Sequence, residues 1–575
     1  MSVFATLDWI VLSIFFLILI GIVVWVLRQK QTSAGDYFLA GRDATWISIG
    51  ASIFASNIGS EHLIGLAGAG ASSGLAMAHW EIQGWMILIL GWVFVPFYSR
   101  SMVSTMPEFL ERRYNTESRT ILSIISLVSY VLTKVAVTVY AGGLVFKEVF
   151  GIESIWGIDF FWISAIGLVL LTAGYTVIGG MKSVLYTSVL QTPILLLGSL
   201  IIVVLGLRAL GGWNEMIGIV SAVKVNEFGD TMTNLVRSNN DPDFPWLGVL
   251  IGSSVIGFWY WCTDQYIVQR VLSGKNETES RRGAIFGAYL KLTPVFLFMI
   301  PGMIAFALAQ KSVVVNGSVF TLTSSDAAFP TLVATLLPAG VKGLVVCGIL
   351  AALMSSLASL FNSSSMLFTI DFYKKYRPQA SEERLLHVGR IATVVVVVLG
   401  ILWIPIMRSI GDVLYTYLQD VQSVLAPGIA AAFLLGIIST RPTPLGGMWG
   451  MITGFIIGLM RLGAKVLYTT KASADGYSSV SQWAAENRVD NLFYNLFYET
   501  NWLFFSGGML VFCIAVILIV SRFTPAATKE QVSGLTFKSV SLEQKSASRS
   551  SWNHWDIIHT VIILVITVIF YIAFW

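Results

Sequence analysis

Fourteen apolar runs, each long enough to cross a bilayer, follow one another along the chain. They lie at 7–28, 44–68, 77–100, 120–148, 157–178, 184–208, 245–270, 283–309, 331–370, 388–408, 411–438, 445–467, 501–521 and 553–575. A spanning helix needs about 20 mainly apolar residues, so each run predicts one transmembrane helix. Two runs break their own pattern. Gly50 to Leu66 reads GASIFASNIGSEHLIGL, with Ser56, Asn57, Gly59, Ser60, Glu61 and His62 inside an otherwise apolar stretch. Gly257 to Gln269, GFWYWCTDQYIVQ, interrupts the seventh run in the same way. Lipid offers no hydrogen bonds, so a helix loosens or carries charge there only where protein or a water-lined cavity satisfies the freed groups. Paired interruptions in corresponding halves of a chain point to a transporter's binding site.

The interrupted runs are the second and the seventh, five crossings apart. Five is odd, so a repeat of five helices must enter the membrane from opposite sides. The expected organisation is an extra N-terminal helix and cytoplasmic loop (1–43), a first inverted repeat (44–208), an extracellular loop (209–244), a second repeat (245–440), and three peripheral helices with their loops (441–575). Basic residues cluster in alternate loops: Arg28 and Arg42; Arg112, Arg113 and Arg119; Arg270, Arg281 and Arg282; Lys374, Lys375 and Arg377. The positive-inside rule then sets both termini outside.

Composition agrees with a chain that has little soluble mass. It is 55% hydrophobic and 12% charged, where a soluble domain carries about 25% charged residues. The net charge of +4 is spread over membrane-flanking loops and does not form a nucleic-acid footprint. Cys262, Cys347 and Cys513 fall in apolar segments and offer neither a disulfide framework nor zinc spacing. There is no G-x-x-x-x-G-K-[ST] phosphate loop and no HExxH, so the reading is not an enzyme and not an ATP-driven pump. No segment calls for an obligatory protein partner; the expected partners are the lipid bilayer and small solutes.

Three groups of residues carry chemistry. Ala55, Ile58 and their neighbours offer carbonyls where the second run unwinds; the ninth, with AALMSSLASLFNSSS, adds the hydroxyls of Ser355 and Ser356 and a carbonyl at Ala352. A hard cation takes oxygen ligands, and such a set holds one without a carboxylate. The plainer alternative is that small residues let helices pack closely and Ser bonds back to its own helix. The second group is ionisable or polar at membrane depth: Glu81 in the third run, Lys291 in the eighth, Gln419 in the eleventh, and His62 beyond the first break. Together they offer donors and acceptors to a polyhydroxylated ligand, the alternative being an ion pair that locks helices together. Lys134, Asp264 and Asp420 read as packing or gating pairs. Third is Phe258-Trp259-Tyr260-Trp261, whose flat rings suit the C–H face of a sugar as well as ordinary packing.

The segments GASIFASNIGSEHLIGLAGAGASSG, TMPEFLERRY, WYWCTDQYIVQR, AYLKLTPVFLFMIPGM and MSSLASLFNSSSMLFTIDFY resemble the sodium/solute symporter family, in its sodium/glucose cotransporter branch. The resemblance runs through about 45–440. It implies an all-α polytopic membrane protein of about fourteen helices, with a leucine-transporter-like inverted five-helix repeat and two discontinuous helices. It places sodium, the coupling ion, on Ala55, Ile58, Ala352, Ser355 and Ser356. It places sugar on Asn57, His62, Glu81, Lys291, Gln419, the inner-gate Tyr260 and Trp261, with Trp80 beside it. Where many members carry an aspartate of a second sodium site, this chain has Ser188; Asp420 and Gln422 also depart from typical glucose carriers. The cysteine-rich outer loops of animal members are missing. The expected function is sodium-coupled symport of a neutral hexose or related polyol across the plasma membrane, the inner membrane in a bacterium. Symport of an organic anion or amino acid, a sugar-gated channel or sensor, and proton coupling through Glu61 or Asp264 stay open at this point.

Overall fold

A computed structural model describes all residues except 1–3, 29–32, 60, 409–413 and 478. Ser60 of the first interruption and the start of the eleventh apolar run thus lie outside the described residues. Among those described, twelve helices are long and apolar enough to cross a membrane, and the strands form only two two-stranded hairpins.

The helices that build the centre are α1 (Trp46–Asn57), α2 (Glu61–Ser101), α3 (Phe160–Leu210), α4 (Trp246–Thr263), α5 (Gln265–Leu272), α6 (Glu277–Gln310), α7 (Val341–Met366) and α8 (Leu414–Ile438). They are followed by α9 (Pro444–Ala474), α10 (Trp502–Phe523), the short α11 (Leu542–Ser550) and α12 (His554–Ala573).

Both expected interruptions are present. At the first, α1 stops at Asn57 and Ile58 leaves the helical region at φ −77°, ψ 102°, before α2 begins at Glu61. The second is narrower than the polar run suggests. The aromatic residues stay wound in a widened turn, Trp259–Thr263, closed by Asp264 N–H donating to Trp259 O at 2.9 Å. The chain then extends at one residue, Asp264, whose carboxylate caps α5 by accepting from Tyr266 N–H at 3.2 Å. Asp favours this place because its side-chain oxygen satisfies an orphan amide at the new helix start.

Small residues bring the helices together. A Cβ on Gly283 or Gly287 of α6 would press on Ile49 or Ile53 of α1, and one on Gly84 or Gly91 of α2 on Ala288 or Ala284 of α6. In lipid, where burying apolar surface adds little, such close backbone approach supplies the packing energy. These contacts also set direction: α1 advances along α6 from Gly283 towards Lys291, whereas Gly84 and Gly91 retrace it from Ala288 to Ala284. The chain therefore reverses inside α2, at Gly74, whose φ of 66° marks the turn.

The fifth and sixth runs are two spans, Phe160–Val177 and Gly179–Leu210, which together make up α3 and meet at Gly180 (φ 54°, ψ −149°), a conformation only glycine takes without strain. One run is organised differently from its hydropathy. The ninth is divided at Leu337–Gly340, leaving Ala328–Leu336 as a separate helix ahead of α7. α7 lies antiparallel to the second half of α3, with Gly198 against Val345, Gly348 against Leu195, and Ser188 against Ser355. This puts the Ser-rich face of α7 beside the first break.

Candidate functional site

Asn57 is the last residue of α1 and has only the loosened end of the helix behind it. Its side chain bridges two elements: Nδ2 donates to Tyr260 OH at 3.2 Å, and Oδ1 accepts from Lys291 Nζ at 3.0 Å. Lys291 also donates to Glu81 Oε2 at 2.7 Å, and the other carboxylate oxygen lies 3.3 Å from His62 Nε2. Glu81, Lys291 and His62 are 0%, 3% and 2% exposed, so the charges are met by each other and not by water. Buried charges persist only when paired and hydrogen-bonded in this way.

Aromatic rings complete the wall. The Tyr260 and Trp261 rings meet edge to face at 4.8 Å, and Lys291 Nζ sits 5.3 Å from the Trp261 ring centre. Trp80 stacks on Trp502 at 5.5 Å and 21°. These groups surround a cavity of about 40 Å³, closed down well below the roughly 300–1,000 Å³ of a typical small-molecule site. All eight sugar-site residues expected from the sequence line it: Asn57, His62, Trp80, Glu81, Tyr260, Trp261, Lys291 and Gln419. Two buried polar atoms have no protein partner among the described residues, Gln419 Oε1 and Trp80 Nε1. One accepts and the other donates, as a hydroxyl-bearing guest requires.

Sequence reasoning missed some of the lining. Gln83 borders the cavity, its amide NH donating to Ser253 O at 2.9 Å; its position two residues after Glu81 was the available signal. Gln422, Glu61, Ile256, Gly257 and Leu418 also line it. Trp502, which backs the lining residue Trp80 without bordering the cavity itself, could not have been found, because α10 looks like any peripheral span. It is positioned by Asn501, whose amide donates to Pro242 O and Asp243 O at 2.8 and 3.2 Å.

On the other side of the first break lie the five expected cation ligands. The last carbonyls of a helix have no intrahelical amide partner, and here Ile58 N–H to Phe54 O, 2.9 Å, closes the ladder of α1. Ser356 Oγ donates to Ser56 O at 3.1 Å and lies 3.3 Å from Ile58 O. Ser355 Oγ lies 3.4 Å from Ser188 Oγ. Ala55 and Ala352 are buried in the facing helices. Ser56 O also accepts from Tyr266 OH, and Ser56 Oγ meets Ser359 Oγ at 2.6 Å. Carbonyl and hydroxyl oxygens from α1 and α7 thus converge where no carboxylate is needed. Beneath the cavity, Lys134 pairs with Asp264 at 3.3 Å, and its Nζ lies 4.1 Å from both the Tyr260 and Tyr266 ring centres. Asp264 also accepts from Tyr130 OH. Asp420 is paired with Lys465 of α9.

The sequence profile described as "Sodium:solute symporter family" matches residues 37–454. The chain is 37% identical to human sodium/myo-inositol cotransporter 2, covering 92% of this chain and 78% of that protein. It is 36% identical to the sodium/glucose cotransporter 4 of Mus musculus, with the same coverage, and to the sodium/glucose cotransporter 1 of Ovis aries over 90% and 78%. A solved Na+-coupled sialic acid symporter in its outward-open state superposes with a TM-score of 0.72 at 21% identity, over 91% of this chain and 99% of that one. That likeness shows the fold, and with it the expected all-α, leucine-transporter-like class. The chain belongs to the sodium:solute symporter family and is a transporter, not an enzyme.

Proposed function

We propose that this chain couples sodium entry to uptake of a neutral hexose or cyclic polyol by alternating access. The observation that carries the reading is the placement of the first break between two sites. Asn57 points into the cavity, while the carbonyls of its neighbours Ser56 and Ile58 meet Ser356. A cation drawn between α1 and α7 holds that break in one arrangement and so raises solute affinity on the other side, and the linkage is reciprocal. Ala55, Ile58, Ala352, Ser355 and Ser356 are the proposed sodium ligands. Asn57, His62, Glu81, Lys291 and Gln419 would bind hydroxyls, with Trp80 and Trp261 against the ring faces and Tyr260 closing the inner side. Relatives named for glucose and for myo-inositol support this solute class. A carboxylate ligand would meet Glu81 in the same cavity, which disfavours an organic acid or amino acid.

The proposed topology has fourteen crossings, inverted repeats over 44–208 and 245–440, and both termini outside. Two discontinuous helices and the reversal at Gly74 support the count; the basic loops support the orientation.

Radiolabelled glucose, galactose and myo-inositol uptake into proteoliposomes, with and without an inward sodium gradient, tests the function. At least one should accumulate above its outside concentration only with sodium. Equilibration without accumulation would make the protein a channel or sensor instead, and undiminished uptake in choline at fixed pH would remove sodium from the mechanism.

A further inference from the structure

A second groove, distinct from the solute cavity, lies at one membrane edge, with a volume of about 290 Å³. Two helix faces form it. On α2, Trp92, Pro96 and Arg100 follow one another at four-residue spacing, with Val93 and Phe97 beside them. On α11 and just beyond it, Lys545, Arg549 and Trp552 follow at spacings of four and three. Arg100 ends the apolar stretch of α2 and Trp552 immediately precedes α12, so the groove sits where hydrocarbon meets water. The strap between α10 and α12 is anchored there: Phe537 packs edge-on against Phe97 at 5.2 Å, and Trp552 against Trp92 at 5.2 Å. Trp92 is itself held by its indole N–H donating to Thr560 of α12 at 2.9 Å.

The groove is divided by chemistry. Its floor is Trp92, Val93, Pro96 and Phe97; its rim is cationic. Arg100 lies 4.6 Å from the Phe97 ring centre, and its buried Nε has no hydrogen-bond partner among the described residues. Arg549 lies 3.7 Å over the Trp552 ring, and Lys545 is exposed. Among the described residues, no acid lines the groove. The nearby Glu277 is already engaged by Arg281 at 2.6 Å and by Ser548 and Ser551 at 2.6 and 3.1 Å. Three cations around an apolar slot at a membrane edge match one ligand shape, an anionic head on an acyl chain. Guanidinium groups suit phosphate oxygens, and interfacial aromatics suit the boundary beneath them.

We propose that this groove binds the phosphate headgroup of an anionic phospholipid, its acyl chain lying against Val93, Pro96 and Phe97. The lipid would tie α11 to α2 and α12, so that the strap stays at the membrane surface.

Native mass spectrometry of the full-length protein in neutral detergent, offered equal amounts of phosphatidylglycerol and phosphatidylcholine with identical chains, tests this without any transport measurement. Phosphatidylglycerol should be retained preferentially. Each cation near an anionic lipid contributes about a five-fold factor, so Lys545→Gln, at an exposed position, should lower the preference about five-fold. Arg100→Gln/Lys545→Gln/Arg549→Gln should abolish it. Arg441→Gln/Arg522→Gln, exposed and outside the groove, should leave it intact. Equal retention of the two lipids by the unmodified protein would overturn the proposal. So would an equal loss in the control variant, or displacement of phosphatidylglycerol by glycerol phosphate at the same concentration.

Discussion

Lys291 holds three groups of the cavity at once: it donates to Asn57 and Glu81 and faces the Trp261 ring. Removing one member of a buried pair leaves the other charge uncompensated, at a cost of about 3–5 kcal/mol. Lys291→Met should therefore lower the unfolding temperature in detergent by several degrees and abolish uptake. The double variant Glu81→Gln/Lys291→Met should recover most of the stability but none of the uptake. A thermal-shift cycle with parallel uptake assays separates the two roles, and a double variant no more stable than Lys291→Met would show that the pair is not coupled. Ser356 is the counterpart at the cation site, its hydroxyl lying between the Ser56 and Ile58 carbonyls. Interactions of a hydroxyl with a charged partner contribute about 1.5–3 kcal/mol. Ser356→Ala should raise the sodium concentration for half-maximal uptake at least about ten-fold, with little change in stability.

At the scale of elements, the same device is used in three ways. α1 is broken over a few residues and exposes carbonyls; α4 and α5 are separated by one capping aspartate; the two halves of α3 are separated by a single glycine. The bend at Gly180 packs the chain on Tyr37, whose carbonyl would lie 2.5 Å from an added Cβ. Its φ and ψ belong to a region that costs other residues about 1–3 kcal/mol. Gly180→Ala should thus destabilise the protein beyond that figure, through strain plus collision, whereas Gly174→Ala in the span just before it, with open space around it, should be neutral. Differential scanning fluorimetry of the two variants checks this.

Across the whole molecule, helices outside the proposed repeats support residues in and beside the cavity wall. α10 contributes Trp502, stacked on Trp80, and α9 contributes the cation that pairs Asp420. An aromatic pair adds about 0.5–1.5 kcal/mol beyond its buried area. Trp502→Ala should weaken apparent solute affinity by about two- to ten-fold while leaving the sodium dependence of uptake in place, which a solute titration at fixed sodium would show. The energetics of coupling also belong to this scale. An inside-negative potential of 100 mV adds about 2.3 kcal/mol per sodium. Imposing it with a potassium gradient and valinomycin should raise accumulation about fifty-fold if one ion moves with each solute, and markedly more if two do.

Hydropathy by itself determined that the chain is a membrane-spanning helical protein, because lipid leaves the backbone no other way to satisfy its hydrogen bonds. It also marked both interruptions, since Ser56, Asn57, Glu61 and Asp264 are costly at membrane depth without partners. With the family motifs, that was enough to name eight residues that line one cavity. Tertiary structure decided what local pattern does not encode. Trp502 reaches Trp80 in the cavity wall only through the path of its helix. The aromatic run stays helical because Asp264, and not Gly257, takes the extended conformation. The cationic groove exists only because α11 folds back on α2, some 450 residues away in sequence. A run of apolar residues records that a segment is buried in lipid or protein; which neighbour it is buried against is a property of the packed bundle.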